Sequence, residues 1–183
     1  MIDLKNKSVI ICGSKPYDNK ELDKTVDTYD IIIRHNFNIS KYGTRLSDYQ
    51  ILNNHVFQSR LNMSKLISNY GKNYNLNILN DFHKFIKENP KKYINILSIS
   101  ISSIQKNISF TLGKRLRCGF YSIAYCLEKK IHPNIVGFST NPKDYANHIL
   151  NNLEVNDSYH DRNQEIKVLN ELESKGLIKI LDK

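Results

Sequence analysis

The sequence predicts an α/β fold in which a mostly parallel sheet is flanked by helices. Short runs rich in β-branched residues alternate along the chain with segments whose apolar residues have helical spacing. This alternation is typical of parallel sheets, because their strands need crossover connections that are usually helices. At 183 residues the chain is long enough to bury a core, and no repeat or linker divides it. We therefore expect one Rossmann-like domain over residues 1–183.

The first half of the chain predicts most of this sheet. An apolar run over residues 8–12 ends at Gly13, which opens a turn, and a polar segment over residues 17–26 favours a short helix. The later elements expected before residue 102 are strands over 29–33, 49–52, 75–79 and 93–101, and helices over 59–70 and 81–88.

The last third has the clearest patterns. The expected elements are a helix over 117–130, a strand over 134–137, a helix over 161–175 and a strand over 177–181. Asp161 and Gln164 resemble a capping box at the start of the last helix, and Gly176 is placed to end it.

Composition excludes several classes of protein. No apolar run approaches the roughly 20 residues of a membrane span. Cys12, Cys118 and Cys126 are odd in number and lack the spacing of metal ligands, so we expect neither a disulfide framework nor a metal site. Free thiols favour a reducing compartment, and we expect a cytoplasmic protein.

The net charge of +9 invites a nucleic-acid interpretation, with 27 Lys and Arg against 18 Asp and Glu. However, the chain has 21 Lys, 23 Asn and 24 Ile, which an AT-rich coding sequence favours, and only six Arg. The lysines are scattered rather than clustered. We therefore expect no specific nucleic-acid partner, although the charge would favour contact with an anionic membrane surface, a glycan or a nucleotide.

Two segments that follow predicted strands could hold a ligand. Gly13 permits a tight turn in which the amides of Ser14 and Lys15 meet a phosphate or ribose; the alternative is an ordinary strand-to-helix turn. Arg34 and Asn36 follow the second strand, and Asn offers both a donor and an acceptor to a base or sugar. The alternative there is that Arg34 and Asp30 simply form ion pairs at the two ends of the strand.

Two helix starts carry charged or titratable groups. Arg115, Arg117 and Gly119 surround the first turn of one helix, which predicts an anion site; the alternative is a basic helix start without a ligand. His160 precedes the last helix, where the positive end favours a neutral imidazole that can act as a base, and Glu165 could support it. The alternative is a surface histidine beside a capping Asp161. His148 is a second candidate base.

In chain order these segments resemble the sialyltransferases, and most closely the small bacterial ones around residues 115–119 and 160–172. The counterparts of that family's motifs are Gly13-Ser14, residues 30–36, Gly43-Thr44, Cys118-Gly119, Gly137-Phe138, residues 145–148, and His160 with Glu165.

The resemblance implies an inverting glycosyltransferase of the A-variant type that needs neither metal nor cofactor. The donor would be CMP-sialic acid or a related CMP-ulosonate such as CMP-Kdo, and the acceptor a glycan or glycolipid. It implies His160 as general base, with Arg115 and Tyr145 stabilising the departing CMP. The implied nucleotide-sugar contacts are Gly13, Ser14, Asn36, Asn53, Asn54, Arg117, Cys118, Gly119, Gly137, Phe138, Tyr145 and Glu165.

Two positions depart from the family pattern. Ser14 replaces the loop Asn that contacts the nucleotide, and Cys118 replaces a Ser or Thr, which removes a good hydrogen-bond donor. The chain is also short for the family. A nucleotide- or glycan-binding domain without transferase activity therefore stays open as the alternative.

Overall fold

The computed structural model describes residues 3–15, 19–35, 42–45, 47–52, 93–95, 101–141 and 160–182. The strands in these residues are β1 (Val9–Cys12), β2 (Ile31–His35), β3 (Tyr49–Leu52), β4 (Tyr93–Asn95), β5 (Asn134–Val136) and β6 (Lys179–Ile180). The helices are α1 (Lys20–Asp27), α2 (Ser102–Gln105), α3 (Cys118–Glu128) and α4 (Arg162–Ser174). The elements expected over 59–70, 75–79 and 81–88 lie outside the described residues.

The six described strands form one sheet in the order β4-β3-β2-β1-β5-β6. All five pairings are parallel, which confirms the predicted α/β class. The chain moves outward from β1 to β4 and then returns to place β5 beside β1. The connections after β1 and β5 therefore leave the sheet in opposite directions, and the crevice between them is where sheets of this kind bind ligands.

Helices cover both faces of the sheet because alternate strand residues point to opposite sides. Ile10 and Cys12 of β1 join Val26 of α1 in a small buried cluster on one face. Val9 and Ile11 point to the other face, into the larger cluster, which also contains buried apolar residues of α3 and α4. The continuous apolar runs of β1 and β2 follow from this burial on two faces.

Side-chain caps fix where two helices begin. α1 begins at Lys20 rather than at residue 17, because the Asn19 side chain accepts the amides of Glu21 and Leu22. Asp161 caps α4 by accepting the amide of Gln164 at 3.0 Å. This is half of the predicted capping box, since the Gln164 side chain bonds to the backbone of Gly113 and Lys114 instead.

The end of α4 follows the prediction. Gly176 has a φ of +67° and donates to the Glu173 carbonyl at 2.8 Å. Leu177 donates to the Leu172 carbonyl at 2.9 Å, which completes a Schellman motif. The chain is thereby turned from α4 into β6.

β4 (Tyr93–Asn95) lies within the strand predicted over 93–101, whose residues 96–100 lie outside the described residues. Ile101, the last residue of that prediction, instead precedes the short helix α2. The alternation of Ile and Ser up to residue 101 indicated a strand, but Ile101, Ile104 and Ile108 also have helical spacing. Ile104 is fully buried in the larger cluster, and this packing stabilises the helix.

Candidate active site

The loops after β1 and β5 are joined backbone to backbone at the crevice. The Gly13 amide donates to the Val136 carbonyl at 2.7 Å, and the Lys15 amide donates to the Gly137 carbonyl at 2.9 Å. A Cβ atom built on Gly13 would lie 2.1 Å from the Gly137 carbonyl oxygen, so only glycine fits there. Ser14 is half-buried between these two anchored residues.

The start of α3 packs onto Phe138, the residue after Gly137 in the loop that follows β5. A Cβ on Gly119 would lie 2.5 Å from the Phe138 ring, and Phe120 meets the same ring edge to face at 6.1 Å. Phe138 is only 7% exposed. It therefore seats α3 against β5, and the ligand contact expected for it stays a prediction. Cys118, the first residue of α3, is half-buried.

One turn of α4 fastens the segment over residues 113–117 that leads into α3. The Gln164 amide oxygen accepts the Gly113 amide at 2.6 Å, and its nitrogen donates to the Lys114 carbonyl at 3.1 Å. Glu165 accepts the Arg117 amide at 2.7 Å and the Arg117 Nε at 2.6 Å. The path of the chain into α3 is thus set by side chains of α4.

Glu165 supports the site from behind. Its side chain is 5% exposed and that of Arg117 is 26% exposed. A buried carboxylate is stable only when paired and hydrogen-bonded, and both of its oxygens are bound to Arg117. The contact with the nucleotide sugar that was expected for Glu165 stays a prediction.

His160 is fixed by the same segment. Its Nδ1 lies 2.7 Å from the Arg115 carbonyl oxygen. A carbonyl only accepts, so Nδ1 carries the proton, and Nε2 of the neutral imidazole is the nitrogen with the lone pair. The Arg115 side chain is exposed. The predicted base and the predicted anion site are therefore parts of one hydrogen-bonded unit.

The motif of residues 30–36 has a structural role in its described part. Asp30 accepts the amide and hydroxyl of Ser8 at 2.8 and 2.7 Å. Arg34 is 5% exposed and donates to the backbone carbonyls of Tyr42 and Arg45. Asp30 and Arg34 therefore hold neighbouring segments at opposite ends of β2.

Sequence reasoning missed several residues that shape the site. Tyr42 packs against Gly137, whose φ of +75° and close ring contact exclude a side chain. Asp182 accepts the Gly137 amide at 3.0 Å. His35 contacts Ser122 of α3, with Nε2 2.6 Å from the hydroxyl oxygen. The one signal in the sequence was that Tyr42 precedes the Gly-Thr pair.

Burial decides which titratable groups take part in chemistry near neutral pH. Desolvation raises the pKa of Cys12 to about 12 and that of Cys126 to about 12, so neither is a nucleophile. Desolvation lowers the pKa of His35 to about 4, which keeps its imidazole neutral.

Several predicted site residues lie outside the described residues. They are Asn36, Asn53, Asn54, Tyr145 and the second candidate base, His148. Within the described part of the chain, no three His, Cys, Asp or Glu side chains are grouped as metal ligands. None of the described helices has the length and apolar character that crossing a bilayer requires.

The fold is a Rossmann-like α/β fold, with one parallel sheet in the described residues and helices on both of its faces. No protein-family model and no curated protein matches the sequence. Two solved structures that match are of the sialyltransferase CstII from Campylobacter jejuni. The complex of that enzyme with cytidine-5'-monophosphate gives a TM-score of 0.52 at 17% identity, covering 97% of this chain and 79% of that one. The complex with the substrate analogue CMP-3FNeuAc gives 0.48 at 18% identity, covering 96% and 79%. The likeness to the complex with cytidine-5'-monophosphate shows that this chain has a fold like that of the sialyltransferase.

Proposed function

We propose that this protein is a metal-independent glycosyltransferase that uses a CMP-sugar, either CMP-sialic acid or a related CMP-ulosonate. The fold supports this proposal, since the structure that it resembles holds cytidine-5'-monophosphate. The crevice between β1 and β5 supplies a place for the nucleotide, beside the loop of residues 13–15. The acceptor would be a glycan or glycolipid.

The observation that carries the proposal is the attachment of His160 and α3 to one turn of α4. Nδ1–H of His160 donates to the Arg115 carbonyl, while Glu165 holds Arg117 directly before α3. The side chain of Arg117, the N-cap residue, does not cap α3, whose 11 residues give it a positive end. A candidate base and the start of a helix are therefore held in a fixed relation, as transfer from a sugar phosphate requires.

The proposed reaction follows from these roles. The acceptor hydroxyl oxygen forms a bond to the anomeric carbon as the bond from that carbon to the phosphate oxygen breaks, with inversion. Nε2 of His160 takes the hydroxyl proton, and CMP leaves with the bonding electrons. Arg115, Arg117 and the start of α3 stabilise the phosphate charge on the leaving CMP.

Thermal-shift measurements with CMP, CDP, UDP and GDP, each with and without EDTA, test the donor class. CMP at 100 times its dissociation constant should add about 2.7 kcal/mol of stability, and EDTA should not remove this effect. A shift with UDP that needs a metal, without a shift for CMP, would exclude the proposed donor.

A nucleotide- or glycan-binding domain without transferase activity is the second candidate. Two departures from the sialyltransferase pattern favour it. Cys118 is a weaker hydrogen-bond donor than the Ser or Thr of that pattern, and Ser14 has a shorter side chain than its Asn. This candidate predicts selective CMP binding with no release of CMP from a CMP-sugar in the presence of acceptor glycans. Strong, salt-sensitive binding of DNA or RNA would instead favour a nucleic-acid function.

A further inference from the structure

Tyr42 lies beneath both loops of the crevice. It is 1% exposed, and its hydroxyl donates to the Lys15 carbonyl at 2.9 Å. Its ring lies against Gly137, where an added Cβ would come within 2.5 Å of it. One buried side chain therefore contacts the loop after β1 and the loop after β5.

Arg34 holds the backbone of Tyr42 in place. Its guanidinium donates to the Tyr42 carbonyl, to the Arg45 carbonyl at 3.1 Å and to the Ser47 hydroxyl at 3.0 Å. These acceptors surround a planar donor group that is rigid and buried, so the position of Tyr42 relative to β2 is defined. The contacts run from Arg34 through Tyr42 to Lys15.

We infer that Tyr42 is a positioning residue that fixes the loop of residues 13–15 for nucleotide binding, and that Arg34 acts through it. The ligand part of this inference rests on the proposed function. The Lys15 amide is bonded to the Gly137 carbonyl and anchors the loop, which leaves the Ser14 amide as the donor for a nucleotide. That amide binds a nucleotide well only if it is already in place, because ordering a loop on binding costs affinity. Removing the Tyr42 hydroxyl releases the Lys15 carbonyl from one anchor and leaves the ring packed on Gly137.

Tyr42→Phe tests this, with Tyr29→Phe as the matched control. The Tyr29 hydroxyl accepts the side-chain amide of Asn134 at the amino end of the strands, opposite the crevice. Amide hydrogen exchange, measured by NMR on the nucleotide-free protein, should be about tenfold faster at residues 13–15 in Tyr42→Phe and unchanged there in Tyr29→Phe. Equal exchange in both variants would overturn the inference.

Binding and kinetics test the ligand part. Tyr42→Phe should raise the Kd for CMP and the KM for the CMP-sugar about fivefold, or about 1 kcal/mol, with kcat changed less than twofold. Tyr29→Phe should change neither constant. An unchanged Kd in Tyr42→Phe would overturn the ligand part. If the unmodified protein binds no CMP, the proposed function and the ligand part fail together, and hydrogen exchange still decides whether Tyr42 fixes the loop.

Discussion

Acidification should destabilise this protein through one buried histidine, His35. The side chain lies at the end of β2, facing α3, with Nε2 2.6 Å from the Ser122 hydroxyl oxygen. A second hydrogen bond joins the ring to the backbone of Cys12, and burial lowers the pKa of the ring from 6.5 to about 4. A neutral ring accepts from Ser122 and donates to the backbone, whereas the protonated ring cannot accept.

The pKa difference fixes the sign and the size of the effect. The pKa in the folded state lies below that in the unfolded state, so the unfolded chain takes up the proton first as the pH falls. The stabilisation is complete above about pH 6.5 and is lost as the pH falls through the folded value near 4. The full loss is about 3 kcal/mol, of which about 2 kcal/mol falls between pH 7 and pH 4.5.

Urea denaturation at pH 7 and pH 4.5 measures this loss. Far-UV circular dichroism suits the protein, which has no Trp. His35→Gln should be less stable than the unmodified protein at pH 7 but should lose about 2 kcal/mol less between the two pH values. Comparing the variant with the unmodified protein cancels the effect of other groups that titrate in acid. One of these is Asp27, where burial opposes ionisation but hydrogen bonds from Thr44 and Arg45 outweigh it and lower the pKa.

His132→Gln is the control, since His132 is exposed, and it should keep the pH dependence of the unmodified protein. If His35→Gln shows the same loss between the two pH values as the unmodified protein, the assignment to His35 is refuted. Should His35→Gln not fold, Ser122→Ala should still fold, be less stable by about 1 kcal/mol at pH 7 and retain the acid-dependent loss.

Three further substitutions test the candidate site. His160→Ala should lower the transfer rate about 10²–10⁴-fold with CMP affinity nearly unchanged. Full activity in the folded variant would exclude His160 as the base. Arg115→Ala should weaken CMP binding about tenfold in calorimetry. The control is Lys167→Ala, which removes an exposed lysine of α4 and should leave CMP binding unchanged. Equal effects would make Arg115 an ordinary surface charge. Glu165→Gln should destabilise the protein by about 1–3 kcal/mol in urea, because one Arg117 donor loses its buried acceptor, and should lower kcat less than His160→Ala does; unchanged stability would contradict the support assigned to Glu165.

Much of the fold could be predicted because buried parallel strands leave a strong signal. The apolar runs before Gly13 and around Ile32 are short, rich in β-branched residues and bounded by turns, and both are strands. The helix α2 could not be predicted, since a four-residue helix has too little periodicity and depends on the burial of Ile104. Helix ends were predictable where a side-chain cap or a glycine marks them.

The candidate site was only partly predictable, for a physical reason. The sequence placed Gly13 after a strand and Gly119 at the start of a helix. The role of each glycine depends on residues that are distant in sequence but adjacent in the fold. Gly119 admits the Phe138 ring, and Glu165 meets Arg117 only because α4 packs beside the segment that leads into α3. A buried tyrosine such as Tyr42 has the same appearance in a sequence as any core aromatic residue.

The geometry of His160 bears on the choice between an enzyme and a binding domain. Binding of a nucleotide at the crevice needs the loop of residues 13–15 and the start of α3, and it needs no imidazole. In the structure, the Arg115 carbonyl fixes the proton of His160 on Nδ1, which leaves Nε2 as the basic nitrogen whenever the ring is neutral. Hydrogen bonds of this kind orient the base in acid–base catalysis, where the tautomer and the direction of the ring determine the rate. Under the proposed function, the transferase uses this arrangement of His160, whereas a domain that only binds does not need it.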